Sequence, residues 1–506
     1  MDYALLISTF TRQHGQQGWP RQRLLHECLR SAIRQGTLAA GTRLVATRAL
    51  AAELGMARNT VLYAYEQLAS EGFVVTDRRG TVVAAVATAL AAASSAGAVD
   101  LRAGAAAGAS PHPALSRRAR NLRGPIDSAS MMGAFVPGVP ALDAFPLALW
   151  RRMLDRAWRA LTPVQLNYGD QAGEIALRSA IADHLRASRG VLCDASQVFI
   201  TDGTQSSLDL CARACADDGD TVWIENPGYG GALAAFRGAG LKVEGIAVDD
   251  DGMAPAARDW KTRAPKLIYT TPSHQYPLGG VLTLQRRLAL IAGARAAGAL
   301  IIEDDYDSEF RHDGPPLSAM QGLAPDAPVI YLGTFSKTMF PALRIGFLVA
   351  PTGLAAPLAA MRAQSTSRGR TAEQLALAEF LRSGQFALHL RRMRRLYRQR
   401  RDALVIALGL HLGSVAEVLG ASAGMHLALR FRNPALADTA ISASLREEGI
   451  VVHALSEHAT QGISGWNGLM LGYAQIPAAQ MDALARRLAA VIHLAAFDAA
   501  RRPRRA

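Results

Sequence analysis

Lysine is almost missing from this chain. Of 506 residues only Lys242, Lys261, Lys266 and Lys337 are lysine, and arginine carries nearly all the remaining positive charge. Cysteine is as sparse: Cys28, Cys193, Cys211 and Cys215. Cys211 and Cys215 stand one helical turn apart with no His or Cys neighbour at metal-ligand spacing. That argues against a zinc site and for free thiols in a cytoplasmic protein. No apolar run of about 18 residues occurs, so no transmembrane helix and no membrane partner are expected. The opening MDYALLISTFTRQHGQ lacks the basic segment and long apolar core of a signal peptide.

What is present is a chain long enough for two or three domains, half of it hydrophobic. The formal net charge of +13 suits contact with phosphate backbones. A compositional bias toward Ala and Arg, with arginines solvating helix faces, accounts for it as well.

Against that arginine background one lysine stands out. In YLGTFSKTMFPALRIGFLVA (331–350), two apolar runs, Val329–Leu332 and Gly346–Ala350, read as buried strands around a polar turn with Thr334, Ser336, Lys337 and Arg344. Arginine cannot form a Schiff base, whereas lysine can, more readily when burial lowers its pKa. A lysine snorkelling from a core edge fits this stretch too.

Near the N-terminus, Leu24, Leu25, Cys28, Leu29, Ala32 and Ile33 form one helical stripe ending at Gly36. Thr47 reads as the N-cap of a short helix that stops at Gly55, and a second helix starts at about Arg58 and ends at Gly72. That spacing predicts a helix-turn-helix whose second helix opens with Arg58, Asn59 and Thr60 and packs through Val61, Leu62, Tyr65 and Leu68. FVVTDRRGTVVAA (73–85) follows as a hairpin with Arg78 and Arg79 at its tip, suited to DNA backbone or minor groove. From Val86 to about Arg123 an Ala/Gly/Ser-rich stretch reads as a flexible connector. It contains Arg117, Arg118, Arg120 and Arg123, a basic run read as solvated.

From Phe135 onward short apolar strands alternate with amphipathic helices, the pattern of an α/β domain with a largely parallel sheet. In QVFITDGTQSSLDLCARAC (197–215) a strand runs through Gly203, Thr204 and Gln205 into a helix whose free amides suit a phosphate. TVWIENPGYGGALAAF (221–236) presents Tyr229 at a strand end, either to stack on a planar ring or simply to pack. ALIIEDDYDSEF (299–310) ends a buried strand in Glu303, Asp304, Asp305 and Tyr306. Such carboxylates need a cation, and a pyridinium nitrogen or Mg²⁺ would serve. Taken with the lysine turn, these are the parts of a pyridoxal phosphate site.

Two resemblances gather these parts. RQGTLAAGTRL and TRALAAELGMARNTVLYAYEQLASEGFV resemble the winged helix-turn-helix of the GntR superfamily, and residues from about Phe135 to Ala474 resemble a fold-type I aminotransferase. The whole chain is similar to the MocR/GabR-type subfamily of GntR regulators. The resemblance implies a multidomain fold: a DNA-binding module at 15–86, a connector at 87–130, a pyridoxal phosphate-binding domain at 131–497 and a basic tail at 498–506. It implies contacts to double-stranded operator DNA from Arg43, Arg48, Arg58, Asn59, Thr60, Arg79 and Gly80. Lys337 would be the internal aldimine lysine, Asp304 the partner of the pyridine nitrogen, Tyr306 the contact to the ring hydroxyl and Tyr229 the ring-face contact. Gly203, Thr204, Gln205, Thr334, Ser336 and Arg344 would gather round the phosphate, with Ser273, His274 and Gln275 of TPSHQYPLGG as weaker contacts. The chain departs from the family in Val45-Ala46-Thr47 before Arg48, in a wing that keeps only Gly80-Thr81, and in Leu278 after Tyr-Pro.

Catalytic relatives hold the substrate carboxylate with an arginine in a late strand, where NGLMLGYAQI places Leu469 or Met470. The GABA-responsive relative has an arginine where this chain has Gly231. Arg368 or Arg370 are the substitutes in reach. The resemblance therefore implies a regulator that senses pyridoxal phosphate or an amine effector through an aldimine at Lys337. It also implies a head-to-tail homodimer, cytoplasmic and nucleoid-associated when on DNA. An active aminotransferase with an appended DNA-binding domain is the alternative. The arginines of HLRRMRRLYRQRRDAL (389–404) fit DNA, a dimer partner or solvent.

Overall fold

The computed structural model describes residues 1–14, 18–78, 80–85, 116, 133–314, 317–324, 326–365, 369–460 and 465–501. Arg79, Arg368, the arginines of the connector and the end of the basic tail lie outside them. The chain divides into two compact units, Met1–Pro113 and Ala114–Ala506.

The first unit opens with a helix that sequence reading passed over, α1 (Tyr3–His14). Tyr3, Leu6, Ile7 and Phe10 recur at helical spacing, and Tyr3 is buried in the core of this unit. α2 (Arg21–Arg34), α3 (Thr47–Glu53) and α4 (Arg58–Ser70) follow, with Gly55 in a left-handed conformation between α3 and α4. Thr47 is the first helical residue rather than the cap; Ala46 precedes it and caps with no side chain. α4 buries Val61, Ala64, Tyr65 and Leu68, while Leu62 stays 37% exposed. The 61/64/65/68 spacing is one helix face, and Leu62 lies off it. β1 (Val74–Asp77) and β2 (Gly80–Val83) pair antiparallel with Asp77 opposite Gly80. Arg43 bridges to Val82 and brings a third chain segment to the wing.

The second unit is built on an eight-stranded sheet. Its strands are β3 (Val198–Thr201), β4 (Thr221–Asn226), β5 (Lys242–Asp249), β6 (Gly252–Met253), β7 (Leu267–Thr270), β8 (Leu300–Asp305), β9 (Val329–Thr334) and β10 (Gly346–Val349). Their order is β3-β10-β9-β8-β7-β4-β5-β6. Strands β5, β4, β7, β8 and β9 run parallel, whereas β10 is antiparallel to both β9 and β3. The reason is the 335–345 connection, shorter than the dozen or so residues a parallel crossover needs. The central strands β7, β8 and β9 are buried along nearly their whole length because both faces are covered. Ile330 and Leu332 of β9 pack with Leu208, Cys211 and Phe236 of two helices, and Val329 and Tyr331 face the opposite cores. β11 (Ala416–Leu419), β12 (His426–Phe431), β13 (His453–Ala454) and β14 (Gly468–Gly472) form a separate antiparallel sheet in the order β11-β12-β14-β13.

The arginines of 389–404 lie on a long helix, Gln385–Leu412. Several turn inward instead of facing an outside partner. Arg394 donates to the carbonyl of Glu309, Arg398 to that of His312 and Arg401 to that of Ala421. Arg400, buried, donates to the carbonyl of Ala474. Arg391, Arg392 and Arg395 remain exposed. Helix periodicity alone could not reveal this, because the carbonyls come from three distant loops.

Candidate functional site

A cavity of about 210 Å³ opens at the carboxyl ends of the parallel strands, the usual ligand position in such sheets. Tyr229 follows β4, Thr271 follows β7, Asp304 lies at the end of β8 with Tyr306 and Asp307 just after it, and Thr334 ends β9 with Ser336 and Lys337 just after it.

Lys337 sits on the short loop that joins β9 to its antiparallel neighbour. His389 of the long helix holds that loop through the Thr338 carbonyl at 2.8 Å. The amine donates to the carbonyl of Gly138 at 2.6 Å. Gly138 has φ 76°, and a Cβ there would stand 2.8 Å from Nζ, so only glycine leaves the amine its place. Burial lowers the pKa of the amine, Asp307 and Asp304 oppose that shift, and Arg344 adds to it. An amine so placed is free of its proton more often than an exposed lysine, as a nucleophile must be.

Asp304 is buried, with Oδ2 accepting the Tyr269 hydroxyl at 2.7 Å. Its Oδ1 has no partner. Burial pushes its pKa up to about 7; the Tyr269 bond opposes this and Asp305 and Asp307 reinforce it. Asp305, on the opposite face of the strand, accepts from Arg189 Nε at 2.7 Å and from the Tyr331 hydroxyl. Glu303, on that same face, takes the backbone amides of Met320 and Gln321 at 2.9 and 3.1 Å.

Gly203, φ 101°, precedes the helix Thr204–Cys215, and a Cβ on it would lie 3.6 Å from the Arg344 guanidinium. Gly346 approaches Gly203 so closely that a Cβ there would stand 2.7 Å from its Cα. The two glycines thus let the Arg344 turn lie against the helix start. Thr204, Gln205, Thr334, Ser336 and Arg344 line the cavity. The Gln205 side chain is turned to the Gly231 carbonyl at 3.0 Å, which leaves its backbone amide for an anion.

Tyr229 also lines the cavity, edge-on to Tyr276 with ring centroids 5.3 Å apart, and burial raises its pKa to about 12. The Tyr306 hydroxyl lies 3.0 Å from the His274 carbonyl and 3.0 Å from His274 Nδ1. Because the carbonyl can only accept, the hydroxyl proton points there. Ser273 and Gln275 belong to the scaffold: Ser273 accepts from Arg189 at 2.7 Å, and Gln275 donates to the carbonyls of Pro227 and Tyr276 at 2.9 and 2.7 Å. His274 Nδ1 faces Asp307 at 3.0 Å. Arg370 is engaged with the carbonyls of Leu343 and Arg344 at 2.9 and 2.6 Å, so it braces the Arg344 turn and does not face the cavity.

Sequence reading missed Gly138, Tyr269, Asp307, Met425 and His426, all of which line the cavity. They arrive from segments far apart in the chain. Only Asp307, in the same carboxylate run as Asp304, carried a local signal.

In the first unit Arg48, Arg58 and Asn59 are exposed at the starts of α3 and α4, with Thr60 half-buried behind them. Arg43 and Gly80 lie side by side at the wing. This surface is basic and projects a helix N-terminus, as a major-groove reader does.

A three-helix reader with a wing, joined in one chain to an aminotransferase-type sheet with a buried lysine, defines a class: DNA-binding regulators with an aminotransferase-like domain. Residues 22–83 match the family described as bacterial regulatory proteins, gntR family, and residues 144–488 match aminotransferase class I and II. The probable rhizopine catabolism regulatory protein MocR of Rhizobium meliloti is 40% identical over 90% of this chain and 90% of its own. The HTH-type pyridoxine biosynthesis transcriptional regulator PdxR of Corynebacterium glutamicum is 33% identical over 89% of this chain and 91% of its own. In three dimensions, LysN, the alpha-aminoadipate aminotransferase of Thermus thermophilus solved with N-(5'-phosphopyridoxyl)-L-leucine, matches with a TM-score of 0.69. It is 26% identical and covers 76% of this chain and 98% of that one. The chain belongs to the MocR-type transcriptional regulators of the gntR family.

Proposed function

We propose that this regulator reads operator DNA through Arg43, Arg48, Arg58, Asn59, Thr60, Arg79 and Gly80, and that its second unit holds pyridoxal phosphate. Operator binding then changes when that cofactor, or an amine reacting with it, occupies the cavity. Control of this kind needs two conformations with different affinity for the ligand.

The observation that carries the reading is the bare Oδ1 of Asp304 in a buried cavity that also holds the Lys337 amine. A buried carboxylate oxygen without a donor is costly, and a pyridinium N–H supplies the missing donor. Bound pyridoxal phosphate contributes an electrophilic aldehyde on a ring that absorbs visible light. The chain's own residues do the rest. Lys337 Nζ, its pKa lowered, is the amine for that aldehyde. Asp304 would keep the ring nitrogen protonated, and Tyr229 would lie against the ring face. Arg344, Thr334, Ser336 and the amides after Gly203 bind the phosphate. Tyr306 Oη, its proton committed to the His274 carbonyl, offers a lone pair beside the ring.

A homodimer is part of the proposal. Val164, Leu166 and Tyr168 are 81%, 70% and 92% exposed on one loop, an apolar surface suited to a second copy. Light scattering should give twice the chain mass.

Protein saturated with pyridoxal phosphate should show a visible band, fix the cofactor on Lys337 after borohydride and retard promoter DNA differently from the cofactor-free form. Absence of the reduced adduct would overturn the sensor reading. Turnover in half-reactions with amino acids would instead establish the aminotransferase alternative.

A further inference from the structure

The preceding reading leaves the amine unnamed, and the inference drawn here rests on that reading. The residues lining the cavity fall into two neighbourhoods of opposite chemistry. Around Gly203 are Arg344, the helix-start amides, Thr334 and Ser336, all donors to an anion. Around Gly138 and Tyr276 are Asp307, Met425 and His426. Here the polar atoms are mainly acceptors.

His426 shows this most clearly. Burial drives its pKa well below the ordinary value, reinforced by neighbouring His274, so the ring is neutral. It bonds the Pro277 backbone, and Nε2 is buried with no partner. Since the Pro277 carbonyl can only accept, Nδ1 carries the ring proton and Nε2 presents a bare lone pair. His274 lies behind it, tilted by 43° with ring centroids 4.7 Å apart; its Nδ1 faces Asp307, and its Nε2 is likewise without a partner. Asp307 is 1% exposed. The Gly138 carbonyl adds another acceptor.

Apart from the Lys337 amine, which the aldehyde would take up, no cation lines this side among the described residues. Arg344 is the only guanidinium among the described lining residues, and it belongs to the other neighbourhood. Met470, in the strand where catalytic relatives carry their carboxylate-binding arginine, is fully buried with Leu278, Ala428 and Leu455. Tyr276 packs on that apolar cluster and also lines the cavity, so apolar surface fills the place of a carboxylate clamp. A carboxylate brought here would lose its water beside Asp307 and meet unpaired acceptors. A hydroxyl or ammonium would satisfy them.

We propose that the site selects primary amines without a carboxylate, whose far end offers a hydroxyl or a second ammonium to Asp307 and His426. The full-length protein is first loaded with pyridoxal phosphate and its visible band recorded. It is then titrated with four probes of equal carbon length: 1,4-diaminobutane, 4-aminobutan-1-ol, butylamine and 4-aminobutanoate. Band changes are followed alongside promoter retardation. The diamine and the amino alcohol should act at concentrations at least about tenfold below 4-aminobutanoate. Asp307→Asn should shrink the diamine preference, and His426→Arg should reverse the order toward 4-aminobutanoate. A loaded protein that answers 4-aminobutanoate as readily as the diamine, or answers none of the four, overturns this inference and leaves cofactor binding standing. A protein that shows no band before any amine is added overturns both.

Discussion

Strand β8 ends in three carboxylates that meet very different surroundings on its two sides. On one side Glu303 and Asp305 find their donors within the chain: two backbone amides, Arg189 and the Tyr331 hydroxyl. On the other side Asp304 has the Tyr269 hydroxyl and one oxygen with nothing. The first side receives its countercharge, Arg189, from folding, although Oδ1 of Asp305 is also without a partner. On the second side Asp304 borders the cavity and has no cation bonded to it, so a donor entering there would complete it. Alternation along one strand therefore separates a structural charge system from a receptive one.

The sharpest break of this contrast is all-or-none. Lys337→Ala should abolish the borohydride-fixed adduct, read by mass spectrometry, while the fold survives because that amine faces the receptive side. Next in size, Arg189→Leu should destabilise the protein by about 3–5 kcal/mol with or without cofactor, since it strands Asp305 in the interior. A loss below about 1 kcal/mol in denaturant titration would place Asp305 in a wetter site than described.

Asp304→Asn should do the reverse. In the cofactor-free protein Asp304 holds its proton up to a pKa of about 7, against 3.8 as the ordinary value. The folded state thus keeps a proton that the unfolded state has released. Stability from this group is fully present below about pH 4 and is lost as pH rises toward 7. The asparagine variant should be more stable than wild type at pH 8 by about 2–4 kcal/mol and equal to it at pH 4. It should also bind pyridoxal phosphate more weakly. Glu303, raised to about 7 by burial, keeps its own slope in both proteins. Melting temperatures across pH 4–8 check this, and two parallel curves would refute it.

The arginines repeat the contrast on a smaller scale. Arg400→Ala should lose about 1–3 kcal/mol, because the Ala474 carbonyl it serves is buried. Arg391→Ala, on the exposed side of the same helix, should stay within about 0.5 kcal/mol. Arg58→Ala should leave stability unchanged but weaken operator binding and lower its salt slope by about one. An unaltered slope in a retardation series would remove Arg58 from the phosphate contacts.

The same division explains what could be read without coordinates. Lys337 and Asp304 were legible because each sits where an apolar strand breaks into polar turn residues, a signal contained in about ten neighbouring letters. The helix-turn-helix is legible through Gly55 and the apolar spacing of α4, although Leu62 turns away from the face its apolar neighbours share. α1 leaves only a faint trace, since four apolar residues, Tyr3, Leu6, Ile7 and Phe10, mark its inner face. Gly138, His426 and Met425 were not legible at all, since they reach the cavity through the pairing of distant strands. The antiparallel β10 left a trace in the brevity of 335–345, which no crossover fits. Arg394, Arg398 and Arg400 looked like surface charge because their partners are backbone carbonyls, which have no letter of their own.

The oxygen that steadies the Lys337 amine belongs to the backbone of Gly138, 199 residues earlier in the chain. One nitrogen cannot serve both that oxygen and an arriving aldehyde on the same terms. Whatever docks on that nitrogen therefore frees the Gly138 carbonyl, and the turn around Gly138 is the first stretch of backbone to register its arrival.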